Sequence, residues 1–531
     1  MNVERATLLH RIRENEIREL AVTNTVACLI CDAPEELISA LQQNSSIESC
    51  SVILRFLDPE RVQWKHQVGF LQAIASLPSL KDFRFATTSS GFIDSALRLL
   101  SVVLNGCSDL EKLTLQTIQL NHGGQSSEVS SNEAEVLSQF RSALSAQTSL
   151  ETLSLDGTDE RFDYCGVMKI LQSLPSVRHI HLKAQMLTNQ YDMKAMEGLL
   201  QSRTATVSTL SIKRFLLVPD LLSPYFSRLA NNTNLLDLCL EQVGIDDDGC
   251  STLAQSLAQN PTLKKLSLAY NGLSDASGCV LFSSLKSNAG LTDLNLAGNF
   301  LSNDSCQALA DLLGGLSSLP ILTTLNLAQN ILIRDNGACI IASALAVDKK
   351  ITHLNLSEMR LTKVTSALLE ATLASNHTLQ RLNFSKNSLG ESGAAHFANL
   401  LRVNNTLLHL NLSDTKIGQK GSEALSKALT EENDTLISLN LGGNSMILYP
   451  KYLETMIVSN CTLQHVWLPS HLLENNSPIP TFLNLNKFGR RRMLQDRNNS
   501  FLWKSAVIEF ASDLRVSYYL LRMNPAIILW I

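Results

Sequence analysis

At 531 residues the chain is too long for one ordinary globular core, so it either divides into several domains or grows as a repeat array. Hydrophobic residues make up 45%, charged residues 18% and aromatics only 5%, which excludes a disordered or collagen-like chain and implies a core of aliphatic side chains. A formal net charge of −5 supplies no field to draw the whole molecule onto nucleic acid or an anionic membrane, so neither is expected as a partner.

The N-terminal stretch MNVERATLLHRIRENE scatters Glu4, Arg5, Arg11, Arg13, Glu14 and Glu16 among its apolar residues. It has no hydrophobic run of the secretory kind, and residues 1–16 are expected to form a helical cap. No stretch approaches the ~18 uninterrupted apolar residues of a membrane span; the apolar segment Pro525 to Ile531 is far too short. The eleven cysteines are scattered, which suits packing in a reducing compartment, and a cytoplasmic location is expected, with the nucleus as the alternative. Cys28 and Cys31 form a CxxC pair with no second pair to complete a zinc site, so packing is favoured over metal or redox chemistry. No metal and no cofactor are expected.

From Ile17 onward the chain repeats itself. Faint copies of one apolar pattern begin at Ile17, Ile47, Leu80 and Leu110, and clearer ones at Leu150, Val177, Val207 and Leu235. Seven consecutive copies then fit L-x-x-L-x-L-x-x-N-x-L, from LKKLSLAYNGL at Leu263 and LTDLNLAGNFL at Leu291 to LISLNLGGNSM at Leu436; LQHVWLPSHLL at Leu463 closes the series. The array is expected over residues 17–477, with a mean period of about 30. Alternating apolar residues in L-x-L make a short strand with its leucines inward, and the Asn that follows satisfies backbone groups at the turn. Leu253 and Leu257, four apart, mark the helix between strands. A strand, turn, helix and turn cannot bury their apolar face alone, so the units must stack. The expected fold is a continuous α/β solenoid with an inner parallel sheet and outer helices, its inner arc roughly 70 Å at ~4.8 Å per strand.

Two segments depart from the period. Between Leu110 and Leu150 the surplus Asn121 to Glu135, NHGGQSSEVSSNEAE, is polar and Gly/Ser-rich and is expected to be a mobile surface loop. After Pro478 and Pro480 the template stops, and residues 478–531 are expected to form a helical cap with amphipathic stretches over Leu502 to Arg515 and Val516 to Met523. The basic run Lys487, Arg490, Arg491 and Arg492 in that cap suits either a solvated surface or an anion or nuclear-address site.

The period near 28, the eleven-residue core and the recurring N-x-T-L before the strands (QNPTL, SNHTL, NNTL, ENDTL, SNCTL) resemble the ribonuclease-inhibitor-like class of leucine-rich-repeat proteins, closely from Val207 to Leu468 and more loosely before. The resemblance implies a horseshoe that binds another protein on its concave face. It does not imply ribonuclease inhibition, since that inhibitor is strongly acidic and cysteine-dense. The leading expectation is a monomeric intracellular protein-binding scaffold and not an enzyme. The alternatives are a regulator of a small GTPase, which resembles shorter arrays with an acidic tail, and a structural subunit of a larger complex. No G-x-x-x-x-G-K-[ST], G-x-G-x-x-G, G-x-S-x-G or H-E-x-x-H occurs.

In L-x-x-L-x-L the third, fifth and seventh residues point away from the core, so the binding face can be read from the sequence. The fifth position carries Asn295, Asn326, Asn355, Asn383, Asn411 and Asn440, either a consensus amide ladder or the polar floor of a site. The third carries Asp293, Thr324, His353, Arg381, His409, Ser438 and His465, and Trp467 follows at the fifth position of the last copy. Arg381, His409, His465 and Trp467, with His353, are the candidate partner-binding residues, because interface anchors favour Trp and Arg. The competing reading buries Trp467 under the C-terminal cap. His353 and His409 flank Arg381, which argues against zinc. Nearer the N-terminus, His179, His181 and Lys183 point outward beside Lys213, with Lys112 and Arg84 nearby. They form either a basic patch for an acidic partner or a solvated strand face.

Overall fold

In every copy of the pattern a strand begins two residues after the opening apolar residue. Ile17 precedes β1 (Glu19–Ala21), and the series continues through β2 (Ser49–Ile53), β3 (Asp82–Thr87), β4 (Lys112–Thr117), β5 (Thr152–Thr158), β6 (His179–Ala184), β7 (Thr209–Lys213), β8 (Asp237–Glu241) and β9 (Lys265–Ser267). Then come β10 (Asp293–Asn295), β11 (Thr324–Asn326), β12 (His353–Asn355), β13 (Arg381–Asn383), β14 (His409–Asn411), β15 (Ser438–Asn440) and β16 (His465–Trp467). The computed structural model describes residues 2–21, 26, 30, 32–53, 64–87, 93–107, 109–117, 131–158, 174, 176–184, 206–214, 223–315, 321–444, 451–469, 479–496, 499–510 and 514–524. Cys28, Cys31, residues 121–130, Pro478 and Pro525 to Ile531 lie outside them.

The sixteen strands are parallel and follow chain order, as an α/β leucine-rich-repeat solenoid requires. Two compact units divide the chain, Met1–Asn271 with β1 to β9 and Gly272–Ile531 with β10 to β16. Parallel neighbours need a crossover connection, and helices supply it. In the second unit these include Asp275–Leu285, Asn303–Leu313, Arg334–Leu345, Lys363–Leu373, Gly390–Val403 and Gln419–Glu431. Each sends one stripe inward: Leu425, Ala428 and Leu429 of Gln419–Glu431 are buried, and Leu410 and Leu412 on the strand side of the same repeat are at most 1% exposed. The helix marked by Leu253 and Leu257 spans Asp247–Gln259, with both leucines fully buried.

Two sets of asparagines hold successive repeats together. At the ninth template position, Asn387 donates through Nδ2 to the carbonyls of Leu356 (2.8 Å) and Phe384 (2.9 Å), while its Oδ1 accepts from the N–H groups of Met359 (3.1 Å) and Leu361 (2.9 Å). In the N-x-T-L motif, Asn404 donates to the Leu373 carbonyl at the end of the preceding helix (2.7 Å) and to Asn376 (3.2 Å), and accepts from Thr406 (3.0 Å) and Leu407 (2.8 Å). The motif therefore closes one helix and opens the next strand with a single side chain, satisfying backbone groups that would otherwise be buried unpaired. Asn376, Asn404 and Asn460 are all buried in this role.

Two boundaries differ from the sequence reading. Ser131 to Glu135, expected as the end of a loop, open the helix Ser131–Ser145. Its buried stripe Val136, Phe140, Ala143 and Leu144 extends the helical turn back over polar but helix-tolerant residues. In the C-terminal segment the helices are Ile479–Phe488, Arg490–Gln495, Ser500–Glu509 and Leu514–Met523. The stretch from Leu502 is thus interrupted before Arg515, and a helix over Ile479–Phe488 precedes it. Trp503 is fully buried within this segment. Among the described residues no helix is long and apolar enough to cross a membrane.

Candidate functional site

The strand register of the second unit sets two rows side by side across its sheet. Asp293, Thr324, His353, Arg381, His409, Ser438 and His465 are successive partners in one row; Asn295, Asn326, Asn355, Asn383, Asn411, Asn440 and Trp467 are partners in the other. Period-two alternation turns the leucines between them inward, and the small residues two further on, such as Ala328 and Ser385, leave the floor open. The result is a groove of about 500 Å³ from Thr324 to Trp467.

The asparagine row is oriented. Each Oδ1 accepts from the N–H two residues later in its own chain: Asn326 from Ala328 (3.1 Å), Asn355 from Ser357 (3.1 Å), Asn383 from Ser385 (3.1 Å), Asn411 from Ser413 (3.0 Å) and Asn440 from Gly442 (2.9 Å). A backbone N–H can only donate, so the oxygen must face it and the NH₂ must face away. The side chains therefore do not bond along the sheet as a ladder. Among the described residues the Nδ2 groups of these five asparagines have no protein partner. The local signal was available: an Asn closing a strand before a small residue favours this turn of side chain onto backbone.

Arg381 is exposed and makes no ion pair among the described residues. His353 and His409 stand on the strands to either side. Burial holds the His353 imidazole below its ordinary value, with the Arg381 charge lowering it further and Asp293 opposing. Burial, then Arg381, then the neighbouring His353 and His465, do the same to His409. Both rings are thus favoured in the neutral form. At the end of the groove Trp467 is 53% exposed, so the cap leaves it open. Its ring stacks on His465 with centroids 5.9 Å apart and planes 16° from parallel. The structure brings together all five candidates of this half: His353, Arg381, His409, His465 and Trp467.

The candidates of the first unit have a different environment. Lys183 and Lys213 are partners on adjacent strands, but Lys183 pairs with Asp156 (3.0 Å) on one side and Lys213 with Glu241 (2.7 Å) on the other. Arg84 binds Asp82 on its own strand (2.9 Å). His179 meets Thr209 Oγ1 through Nδ1 (2.9 Å), and burial, then His179 and Lys213, push the His181 imidazole down against the pull of Asp237. Lys112 alone of these cations is exposed and unpaired among the described residues. In the cap, Arg490 is buried between the Phe482 and Tyr519 rings, and Arg491 binds the Asp434 carbonyl (2.7 Å) and carboxylate (2.5 Å). Two of the three arginines of that run are therefore engaged by groups of the protein, Arg490 in its interior and Arg491 at its surface. Among the described residues no group of three or more His, Cys, Asp or Glu side chains is placed to hold a metal ion.

A family model described as "Leucine Rich repeat" matches residues 259–278, 375–398 and 403–426. Among solved structures the chain is similar to a chain in the crystal structure of the Rad7 and Elc1 complex in yeast, at 15% identity and a TM-score of 0.42, over 89% of this chain and 94% of that one. It is also similar to Leiomodin-1 actin-binding site 2, at 21% identity and a TM-score of 0.27, over 31% of this chain and 96% of that one. No curated protein matches the sequence.

Proposed function

We infer that this leucine-rich-repeat protein is a protein-binding scaffold that holds its partner on the exposed sheet face of its second unit. The observation that carries the reading is the groove from Thr324 to Trp467, where an exposed Trp, an Arg without an ion pair and a row of amide NH₂ groups without a partner among the described residues share about 500 Å³. Arg and Trp make large, directed contacts and dominate the energy of protein interfaces, and unbonded donors supply specificity. The period and the N-x-T-L clamps support placement in the ribonuclease-inhibitor-like class.

Burial pushes Cys107 and Cys239 up to about 11 and Cys306 up to about 12, leaving these three thiols poor nucleophiles. These cysteines, Cys107 and Cys306 buried and Cys239 half-buried, are free, which suits a reducing, cytoplasmic setting.

A photo-crosslinking amino acid placed at Ser438 in the groove tests the reading against one placed at Lys427 on the outer helix face. The expected outcome is a defined crosslinked protein from Ser438 and none from Lys427, with the Ser438 product lost when Trp467→Ala is added. Crosslinks from Lys427 alone would place the partner elsewhere.

A further inference from the structure

We propose that the groove of the second unit takes an extended acidic peptide segment, with one carboxylate on Arg381 and an apolar side chain on Trp467. This rests on the scaffold reading of the same groove and names the chemistry of its partner.

The groove is rich in donors and poor in acceptors. Arg381 offers its guanidinium N–H groups with no acid beside it, and Asn383, Asn411 and Asn440 present NH₂ groups whose oxygens are already occupied by Ser385, Ser413 and Gly442. What complements such a surface is a run of acceptors: carboxylate oxygens at one end and peptide carbonyls between. A basic segment meets repulsion at Arg381 and finds no free carboxylate next to it. Glu358, on the loop after β12, is already paired with Lys386 (2.9 Å).

The charge count favours a carboxylate over a phosphate. Asp293 and Arg381 face His353, and Arg381, His353 and His465 face His409; with both imidazoles held toward the neutral form, Arg381 is the permanent cation among them. One positive charge matches one carboxylate and leaves a phosphate dianion half compensated.

Geometry sets the spacing of the two anchors. Arg381 on β13 and Trp467 on β16 are three strand steps apart and offset by two residues along the strand. At ~4.8 Å per step and ~3.3 Å per residue the separation is about 16 Å, which an extended peptide covers in about five residues. The carbonyls of those residues lie over the amides of Asn383, Asn411 and Asn440.

Fluorescence anisotropy with the full chain and labelled Gly/Ser peptides carrying one Glu and one Leu at varied spacing tests this. Matched peptides replace Glu with Gln, Lys or phosphoserine. The tightest binding is expected at a spacing of about four to six residues. Gln for Glu should weaken it about tenfold, and Arg381→Gln should abolish the Glu/Gln difference without lowering the melting temperature. Equal binding of Glu and Gln peptides that is still lost in Trp467→Ala would overturn the carboxylate assignment while the groove remained a binding site. Phosphoserine binding tighter than Glu would overturn it in favour of a phosphopeptide. Failure of every peptide at millimolar concentration would overturn it too, and the scaffold reading would then rest on the Ser438 crosslinks alone.

Discussion

Asn376 donates through Nδ2 to the backbone carbonyl of Asp348 (3.3 Å), the residue that holds the same place one repeat earlier. Asn376 also reaches the Leu345 carbonyl at 2.7 Å, so one amide bridges a helix end and the following turn. Asp348 copies only half of this arrangement. Its Oδ2 accepts from Lys350 (3.1 Å) and Ile351 (2.8 Å), but among the described residues its buried Oδ1 has no hydrogen-bond partner, at the point where an asparagine would offer an NH₂. Asp348→Asn should therefore stabilise the second unit by about 1–2 kcal/mol, because it replaces an unsatisfied buried acceptor with a donor. Urea unfolding checks it; a lower midpoint in the variant would show that Oδ1 has a favourable partner.

Inward and outward residues of one strand should respond very differently to substitution. Leu296 and Leu412 are at most 1% exposed, and Leu296→Asp or Leu412→Asp would place an unpaired carboxylate in an aliphatic core, a loss of several kcal/mol. Asn383 gives up a single bond to the Ser385 N–H, so Asn383→Ala should cost about 1 kcal/mol. Thermal unfolding of the three variants decides it. Equal losses at both kinds of site would reverse the inward and outward assignment.

The strand register was legible down to the faintest copies, because a period of two lets only one phase bury the apolar residues, and the leucines at the fourth and sixth template positions fix that phase. Arg381, His353 and His409 fell on the open face for the same reason. The exposure of Trp467 was not legible, since it depends on how a cap of different pattern packs beside the last repeat. The pairing of Lys183 and Lys213 was visible in principle: Asp156, Lys183, Lys213 and Glu241 occupy the seventh position of four consecutive copies, so an acid flanks each lysine. The orientation of the groove amides lay in a local turn preference that a template of apolar positions ignores. The role of Arg490 was out of reach, since its ring partners Phe482 and Tyr519 come from two helices whose packing no short motif announces.

That role makes Arg490 the sensitive member of the basic run. Its guanidinium lies 5.0 Å from the Phe482 ring centre and 4.7 Å from that of Tyr519, donates to Tyr519 Oη (2.9 Å), and reaches the carbonyls of Ile457 (3.5 Å) and Val458 at the end of the helix Lys451–Ser459. A lysine keeps the charge but has neither the planar face nor the forked donors. Arg490→Lys should therefore cost about 2 kcal/mol, through lost stacking and unsatisfied carbonyls, whereas the exposed Arg492→Lys should be neutral. Urea unfolding followed by the fluorescence of the buried Trp503 reads both. Equal stability of the two variants would mean that the charge alone supports the cap.

The histidines beside Arg381 should report its charge directly. Burial is the larger cause of their lowered affinity for protons and Arg381 the next, so in the native protein both should titrate below the ordinary 6.5. The sign for stability follows from linkage: the unfolded chain binds these protons more readily, so the contribution is complete above about pH 6.5 and is lost as pH falls through that value toward the folded midpoints. Arg381→Gln removes the positive neighbour and should move both midpoints up, narrowing that window. Asp293→Asn should do the opposite to His353 alone, since the Asp293 carboxylate pulls His353 upward and is not among the groups that shift His409. Titration of the imidazole Cε1 protons by NMR in the wild type and the two variants separates these effects. Unmoved midpoints in Arg381→Gln would leave burial and the other neighbouring groups as the cause, and would mean that the Arg381 charge is screened by solvent before it reaches either ring.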